Sequence, residues 1–187
     1  MIRLFYILTI CFFVASCTQS QEIGDLKISP NKDFEFNTLI KSSNDTLEIV
    51  TCAKDVIYPF GKFDTISQLK SSILKGFKIV SQKTDDSMYF VYDIVSGNNR
   101  LTLLLDKDPD ASAHSNILKG LITDSSIKTI NNIQVGMPAD SFYKVFFDKF
   151  PSDLSQKFKV LILDYCVNGI KHIYTFRDNK IIRIEYK

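Results

Sequence analysis

Runs of alternating apolar and polar residues recur along most of this chain and predict a protein rich in β-strands. Short polar turns at Ser96–Asn99 and Arg177–Lys180 separate neighbouring runs and predict tight hairpins. The alternating runs are 33–40, 45–52, 78–84, 87–95, 100–106 and 116–123, followed by 159–166, 170–176 and 181–187.

Two segments show a helical period instead. Ile66, Leu69 and Ile73 are spaced by three and four residues, which predicts an amphipathic helix that Asp64 or Thr65 caps and that ends near Gly76. The second segment begins at Pro138, a residue favoured in the first turn of a helix. Its predicted buried face consists of Phe142, Val145, Phe146 and Phe150.

The order of elements occurs twice along the chain. Gly61 precedes the first predicted helix and Gly136 the second, and a run of predicted strands follows each helix. This order predicts an α+β fold of two tandem repeats, 33–124 and 125–187. Each repeat would be a helix followed by an antiparallel meander, with the helices packed on one sheet face.

The second repeat carries a resemblance to known families. Residues 125–147, "SSIKTINNIQVGMPADSFYKVFF", resemble a motif of tandem β-lactamase-inhibitor-protein-like domains, and they are similar to the small lipoprotein of the outer-membrane β-barrel assembly machinery. Gly136-Met137 matches the step before the helix in those folds, and residues 160–187 match their meander. The resemblance to exported lipoproteins of Bacteroidetes is closer still. Thr129 and residues 133–136 fit their pattern, whereas Asn132 replaces its first glycine. The resemblance implies a fold, not a chemistry.

The N-terminus has the pattern of a secretory signal. Arg3 precedes the apolar run 4–14, which is too short to span a bilayer, and residues 14–17, "VASC", resemble a bacterial lipobox. The resemblance implies that residues 1–16 are removed and that Cys17 carries the lipid, whereas a plain secretory signal ending in cysteine is the alternative. Thr18 favours the outer membrane of the bacterial envelope as the destination. The sequence does not indicate whether the protein faces the periplasm or the outside. The polar residues 17–32 are predicted to be a flexible tether.

This reading leaves two cysteines to explain. Cys11 would leave with the signal and Cys17 would be lipidated, so Cys52 and Cys166 remain. In an oxidising compartment the two could form a disulfide. They could equally remain buried free thiols, because the sequence does not show that they meet.

Charge and residue types exclude several classes of function. The net charge is +2, and removal of Arg3 leaves the chain close to neutral, so we expect no nucleic-acid partner. The histidines, His114 and His172, lack the companions of a zinc site, and residues 106–110 lack the glycine and glutamate of a calcium loop. We therefore expect no metal and no cofactor.

These observations favour a binding protein over an enzyme. The first hypothesis is a non-catalytic outer-membrane lipoprotein that binds another protein through its sheet or through the groove between the repeats. A sharper version is an inhibitor or immunity protein that blocks an enzyme. The alternative is an enzyme or small-ligand carrier that uses the cavity between helix and sheet, which a pocket with His172 beside carboxylates would favour. A third class is a purely structural factor of the envelope. The strand tyrosines could mark a partner-binding face or a half-buried one, and the oligomeric state is open: Tyr89, Tyr92, Tyr165, Tyr174 and Tyr186.

Overall fold

The computed structural model describes residues 26–32, 34, 41–85, 88–108, 115–166 and 169–187. Eleven strands account for most of the regular structure in this part of the chain. The strands are β1 Ser29–Pro30, β2 Lys41–Ser43, β3 Thr46–Thr51, β4 Lys78–Asp85, β5 Tyr89–Ser96, β6 Asn99–Asp106, β7 Ser115–Ile122, β8 Phe147–Lys149, β9 Val160–Tyr165, β10 Lys171–Arg177 and β11 Lys180–Tyr186.

Nine of these strands form one continuous sheet in the order β2-β3-β9-β10-β11-β7-β6-β5-β4. Neighbours are antiparallel except β3 and β9, which run parallel. The first half of the chain contributes the meander β4–β7, and the second half contributes β9–β11. The two meanders meet where β7 pairs with β11 through the register Gly120↔Tyr186.

The predicted fold class of two helix-plus-meander repeats is wrong. Strands from both halves share one sheet, and the described helices are short. An exposed strand edge presents unpaired backbone groups, and here those of β9 and β11 are satisfied by strands of the first half. The alternation of apolar and polar residues within each meander does not indicate that strands of the two halves pair with each other.

The first predicted helix is instead a 3-10 helix, Ile66–Ser71, after a four-residue helix α1, Lys54–Ile57. Leu69 is buried as the helical period predicts, but Ile73 is 40% exposed. Thr65 lies at the N-cap without a capping hydrogen bond from its side chain. A six-residue 3-10 helix therefore covers the sheet here in place of an amphipathic α-helix.

The second predicted helix exists and begins near its predicted start. Helix α2, Ala139–Phe146, follows Pro138 at the N-cap, and α3, Ser152–Lys157, follows Pro151. Phe142 and Phe146 are buried as predicted, whereas Val145 and Phe150 are only partly buried. Helix α2 ends at Phe146 because the chain turns into β8.

The hairpin predictions are confirmed. β5 ends at Ser96 and β6 begins at Asn99, with Gly97 at φ +57°. Asp178 and Asn179, which join β10 to β11, have φ of +50° and +57°. Positive φ at both central residues matches the right-handed twist of the flanking strands.

The packed part of the chain begins inside the segment predicted to be a tether. Leu26 and Ile28 are buried, and β1 pairs with β8. The Asn31 backbone N–H donates to the Phe146 carbonyl over 2.9 Å, and Phe34 packs against the Phe146 ring. Residues 1–25, with the signal segment and Cys17, lie outside the described residues. None of the described helices has the length and apolar content to cross a bilayer.

Candidate functional site

Cys52 and Cys166 are joined by a disulfide with 5.3 Å between their Cα atoms. Each cysteine directly follows a strand, Cys52 after β3 and Cys166 after β9. Because these strands are parallel and Thr51 pairs with Tyr165, the two cysteines arrive side by side. The disulfide therefore ties the carboxyl ends of a strand from each half of the chain.

Gly61 and Gly136 both occupy turns with positive φ, +87° and +89° respectively. The Met137 N–H donates to the Gln134 carbonyl over 3.2 Å, which closes a turn with Gly136 in the position that needs positive φ. The Gly136 N–H donates to the Ile181 carbonyl over 2.7 Å. This turn fixes the entry of α2 against β11.

His172 lies inside the core, 1% exposed, on the covered side of β10. Its Nδ1 is 3.3 Å from the Tyr174 hydroxyl, and its ring meets that of Tyr186 edge-on at 4.7 Å. Neither His172 Nε2 nor the Tyr186 hydroxyl has a hydrogen-bond partner of normal geometry in the described part of the chain. The two rings are in contact because His172 and Tyr186 are paired in register on neighbouring strands.

Burial controls the protonation of this cluster. Desolvation lowers the pKa of His172 to about 3, although the nearby Val56 backbone opposes the shift. Desolvation likewise raises the pKa of the Tyr174 and Tyr186 hydroxyls above their ordinary range. The cluster is therefore neutral at physiological pH.

The neutral state of His172 predicts a loss of stability in mild acid. In the unfolded chain a histidine binds a proton below about pH 6.5, whereas folded His172 does so only near pH 3. Protonation thus favours the unfolded state as the pH falls from 6.5 toward 3. We expect the free energy of unfolding, measured with urea, to be about 2 kcal/mol lower at pH 5 than at pH 7.

Two variants separate this effect from other titrations. His172→Phe should remove most of the difference between pH 7 and pH 5, while His114→Phe should retain it. Asp93 and Asp124 have lowered pKa values and affect stability only at more acidic pH. An undiminished difference in His172→Phe would contradict the assignment.

The opposite face of the sheet, which we name the open face, is formed by the alternate residues of its strands. Apart from Thr102, its side chains are half-buried or exposed. The aromatic contacts of α2 go to Tyr174 and Phe176, on the other side of the sheet. Representative members are Glu48, Val50, Ile162, Asp164, Ile173, Leu121, Arg100, Val95, Asp93 and Lys83.

One cross-strand row of the open face runs over all nine strands. Its middle contains Ile162, Ile173 and Leu121, with Glu185 between the last two. The full row is Lys41, Glu48, Ile162, Ile173, Glu185, Leu121, Arg100, Val95 and Lys78. Three half-buried aliphatic side chains thus surround Glu185 in the middle of the row, and Glu48 and Arg100 flank them.

Two cations in the middle of β10 and β11 on this face, Lys171 and Arg183, are paired with carboxylates. Lys171 Nζ lies 2.8 Å from Glu48 Oε1 and 2.9 Å from Asp164 Oδ2. Hydrogen bonds to these two carboxylates raise the Lys171 pKa. Arg183 similarly contacts Glu185 at 2.9 Å. Arg177 and Lys180, at the hairpin end of this half, are exposed and form no ion pair with a described residue.

A groove of about 520 Å³ lies at one end of the open face, between α3 and the hairpin β10–β11. Its lining combines the open-face residues Val160 and Thr175 with the buried residues Phe158 and Phe176. Charged and polar groups complete its rim: Asp45, Lys159, Arg177, Asp178 and Asn179. We name this the end groove.

The structure also separates the strand tyrosines. Tyr92, Tyr174 and Tyr186 are buried on the covered side, and Tyr165 packs partly against the same core. Tyr89 alone of the five has its register position on the open face, opposite Asp106. The sequence analysis therefore did not identify the residues of the open face. The signal for them was the presence of aliphatic residues at the strand positions that alternate with the buried ones. His114 and Asp110 lie outside the described residues.

Comparison with known proteins adds no relative to these observations. No protein-family model, curated protein or solved structure matches the chain.

Proposed function

We propose that this protein is a binding module of the bacterial outer membrane, anchored through lipid on Cys17, that docks another protein on the open face. The observation that carries the proposal is the contrast between the two faces of one sheet. Leu161, Leu163 and Phe176 are buried on the covered face. Ile162 and Ile173, on the open face of the same two strands, are half-buried.

The composition of the open face fits a protein partner. Protein–protein interfaces combine an apolar centre with a polar rim. Ile162 and Ile173 supply adjacent aliphatic side chains, and the Lys171 and Arg183 ion pairs lie beside them. The end groove offers a recess for a side chain of the partner next to this centre. A broad, mixed surface of this kind suits a folded partner better than a small ligand.

The anchor would hold the docking surface close to the membrane. The described fold begins at Leu26, so eight residues separate it from Cys17. An extended chain spans at most about 3.5 Å per residue, which limits the separation to roughly 30 Å. We expect mass spectrometry of the mature protein to find an acylated N-terminal Cys17, and a mature N-terminus at another residue would contradict the anchor.

Site-specific photo-crosslinking in living cells tests the docking surface. A benzophenone amino acid at Ile173 or Ile162 should yield the same discrete protein adduct on irradiation. The control position is Lys62, an exposed residue of the segment that covers the other face. Absence of an adduct at both open-face positions, or identical adducts at Lys62, would refute docking on the open face.

A further inference from the structure

Four exposed cations lie on the open face of the β4–β7 half: Lys78, Lys83, Arg100 and Lys119. Register places them in three consecutive cross-strand rows. The first is Lys78, Val95 and Arg100, the second is Ser81, Asp93, Thr102 and Lys119, and the third is Lys83, Val91 and Leu104. The cations therefore surround a small area of sheet.

These charges differ from the two cations in the middle of the other half of the open face. Lys171 and Arg183 each contact a carboxylate, but none of the four cations forms an ion pair with a described residue. Asp93 is the acid among them, and Lys119 and Lys83 lie close enough to help lower its pKa. These three rows thus carry four cations and one carboxylate, and the next carboxylate on this face, Asp106, lies one row beyond Leu104.

Asp93 is held in a fixed position at the centre of this area. The Ser81 hydroxyl donates to one carboxylate oxygen and the Thr102 hydroxyl to the other, both over 2.7 Å. These bonds, Thr102 first, are the main cause of the lowered pKa of Asp93. A carboxylate keeps acceptor capacity beyond two bonds, so Asp93 can still accept a donor from a partner.

We infer that the partner docks an acidic protein segment on this area, with its carboxylates against Lys78, Lys83, Arg100 and Lys119 and a hydrogen-bond donor against Asp93. This inference rests on the proposed docking function and gives the chemistry of the partner. Val91, Val95 and Leu104 are half-buried between the charges and supply apolar contact. A phosphate-rich surface such as a membrane or a nucleic acid would place negative charge against Asp93, so a protein with mixed side chains fits better.

Selection of random displayed peptides on the purified full-length protein in detergent tests the inference. We expect the selected peptides to be enriched in Asp and Glu and to bind more weakly as salt increases. The double variant Lys83→Glu, Lys119→Glu should weaken a selected peptide by about tenfold or more, and the corresponding Gln variants by a smaller factor. The matched control, Lys62→Glu with Lys75→Glu, should leave binding unchanged.

Each remaining outcome bears on one claim. Peptides without acidic enrichment, or equal binding to the Lys83→Glu, Lys119→Glu variant, would overturn the inference. The same holds if phosphatidylglycerol vesicles or duplex DNA bind the wild-type protein and lose binding in that variant. If crosslinking at Ile173 persists in any of these cases, docking on the open face stands and only the acidic partner falls. Circular dichroism confirms that each variant is folded.

Discussion

Reduction of the Cys52–Cys166 disulfide is expected to lower the free energy of unfolding by about 4–5 kcal/mol. The bond spans a sequence separation of 114 residues, so it removes much of the conformational freedom of the unfolded chain. It also lies beside the parallel pair β3–β9, which connects the two halves of the chain. Urea unfolding of the oxidised protein and of the protein in a phosphine reductant gives the difference directly.

A serine double variant separates loss of the bond from effects of the reductant. Cys52→Ser with Cys166→Ser should match the reduced protein and should not respond to reductant. The single variant Cys17→Ser should retain the full difference, since Cys17 is no part of the bond. Oxidised and reduced protein that unfold within about 1 kcal/mol of each other would contradict the expected contribution.

The pairing of these cysteines shows where the sequence stops being informative. Alternation identifies 45–52 and 159–166 as strands, and β3 and β9 lie within those segments. The alternation does not indicate which strands become neighbours in the sheet when more than 100 residues separate them in the chain. The disulfide follows from the parallel pair β3–β9, and the two halves are joined by that pair and by β7–β11. Neither pairing could be predicted from the alternation.

The local parts of the fold were easier to predict from the sequence. Hairpins such as β5–β6 are specified by residues that lie next to each other in the chain, and the turn at Gly97 is a local signal. The segment around Leu69 failed for a different reason. The spacing of three between Ile66 and Leu69 also suits a 3-10 helix, and Ile73 lies beyond its end.

The candidate site was the least predictable feature. His172 was a candidate site residue because histidine is a common catalytic group and metal ligand. Its position on strand β10 instead places it in the core. Ile162 and Ile173 looked like ordinary strand residues. Their significance depends on which face the helices cover, and α2 covers the face of Tyr174 and Phe176. That choice is a property of the folded molecule.

Replacement of Phe142 by alanine is the second large effect and is expected to cost about 3–5 kcal/mol. Phe142 is fully buried and joins α2 to β10. Its ring centroid lies 4.6 Å from that of Tyr174 and 5.2 Å from those of Phe146 and Phe176. Alanine would remove these ring contacts and leave a cavity that a helix of eight residues cannot close by a small shift.

Two further substitutions show whether the cavity or the helix itself is responsible. Phe142→Leu keeps most of the volume and should cost clearly less than Phe142→Ala. Val145→Ala changes the same helix at a partly buried position and should cost about 1 kcal/mol or less. Alanine has the highest helix propensity, so neither alanine variant weakens α2 intrinsically. If Phe142→Ala cost no more than Val145→Ala in urea unfolding, the aromatic cluster would not be what holds α2 on the sheet.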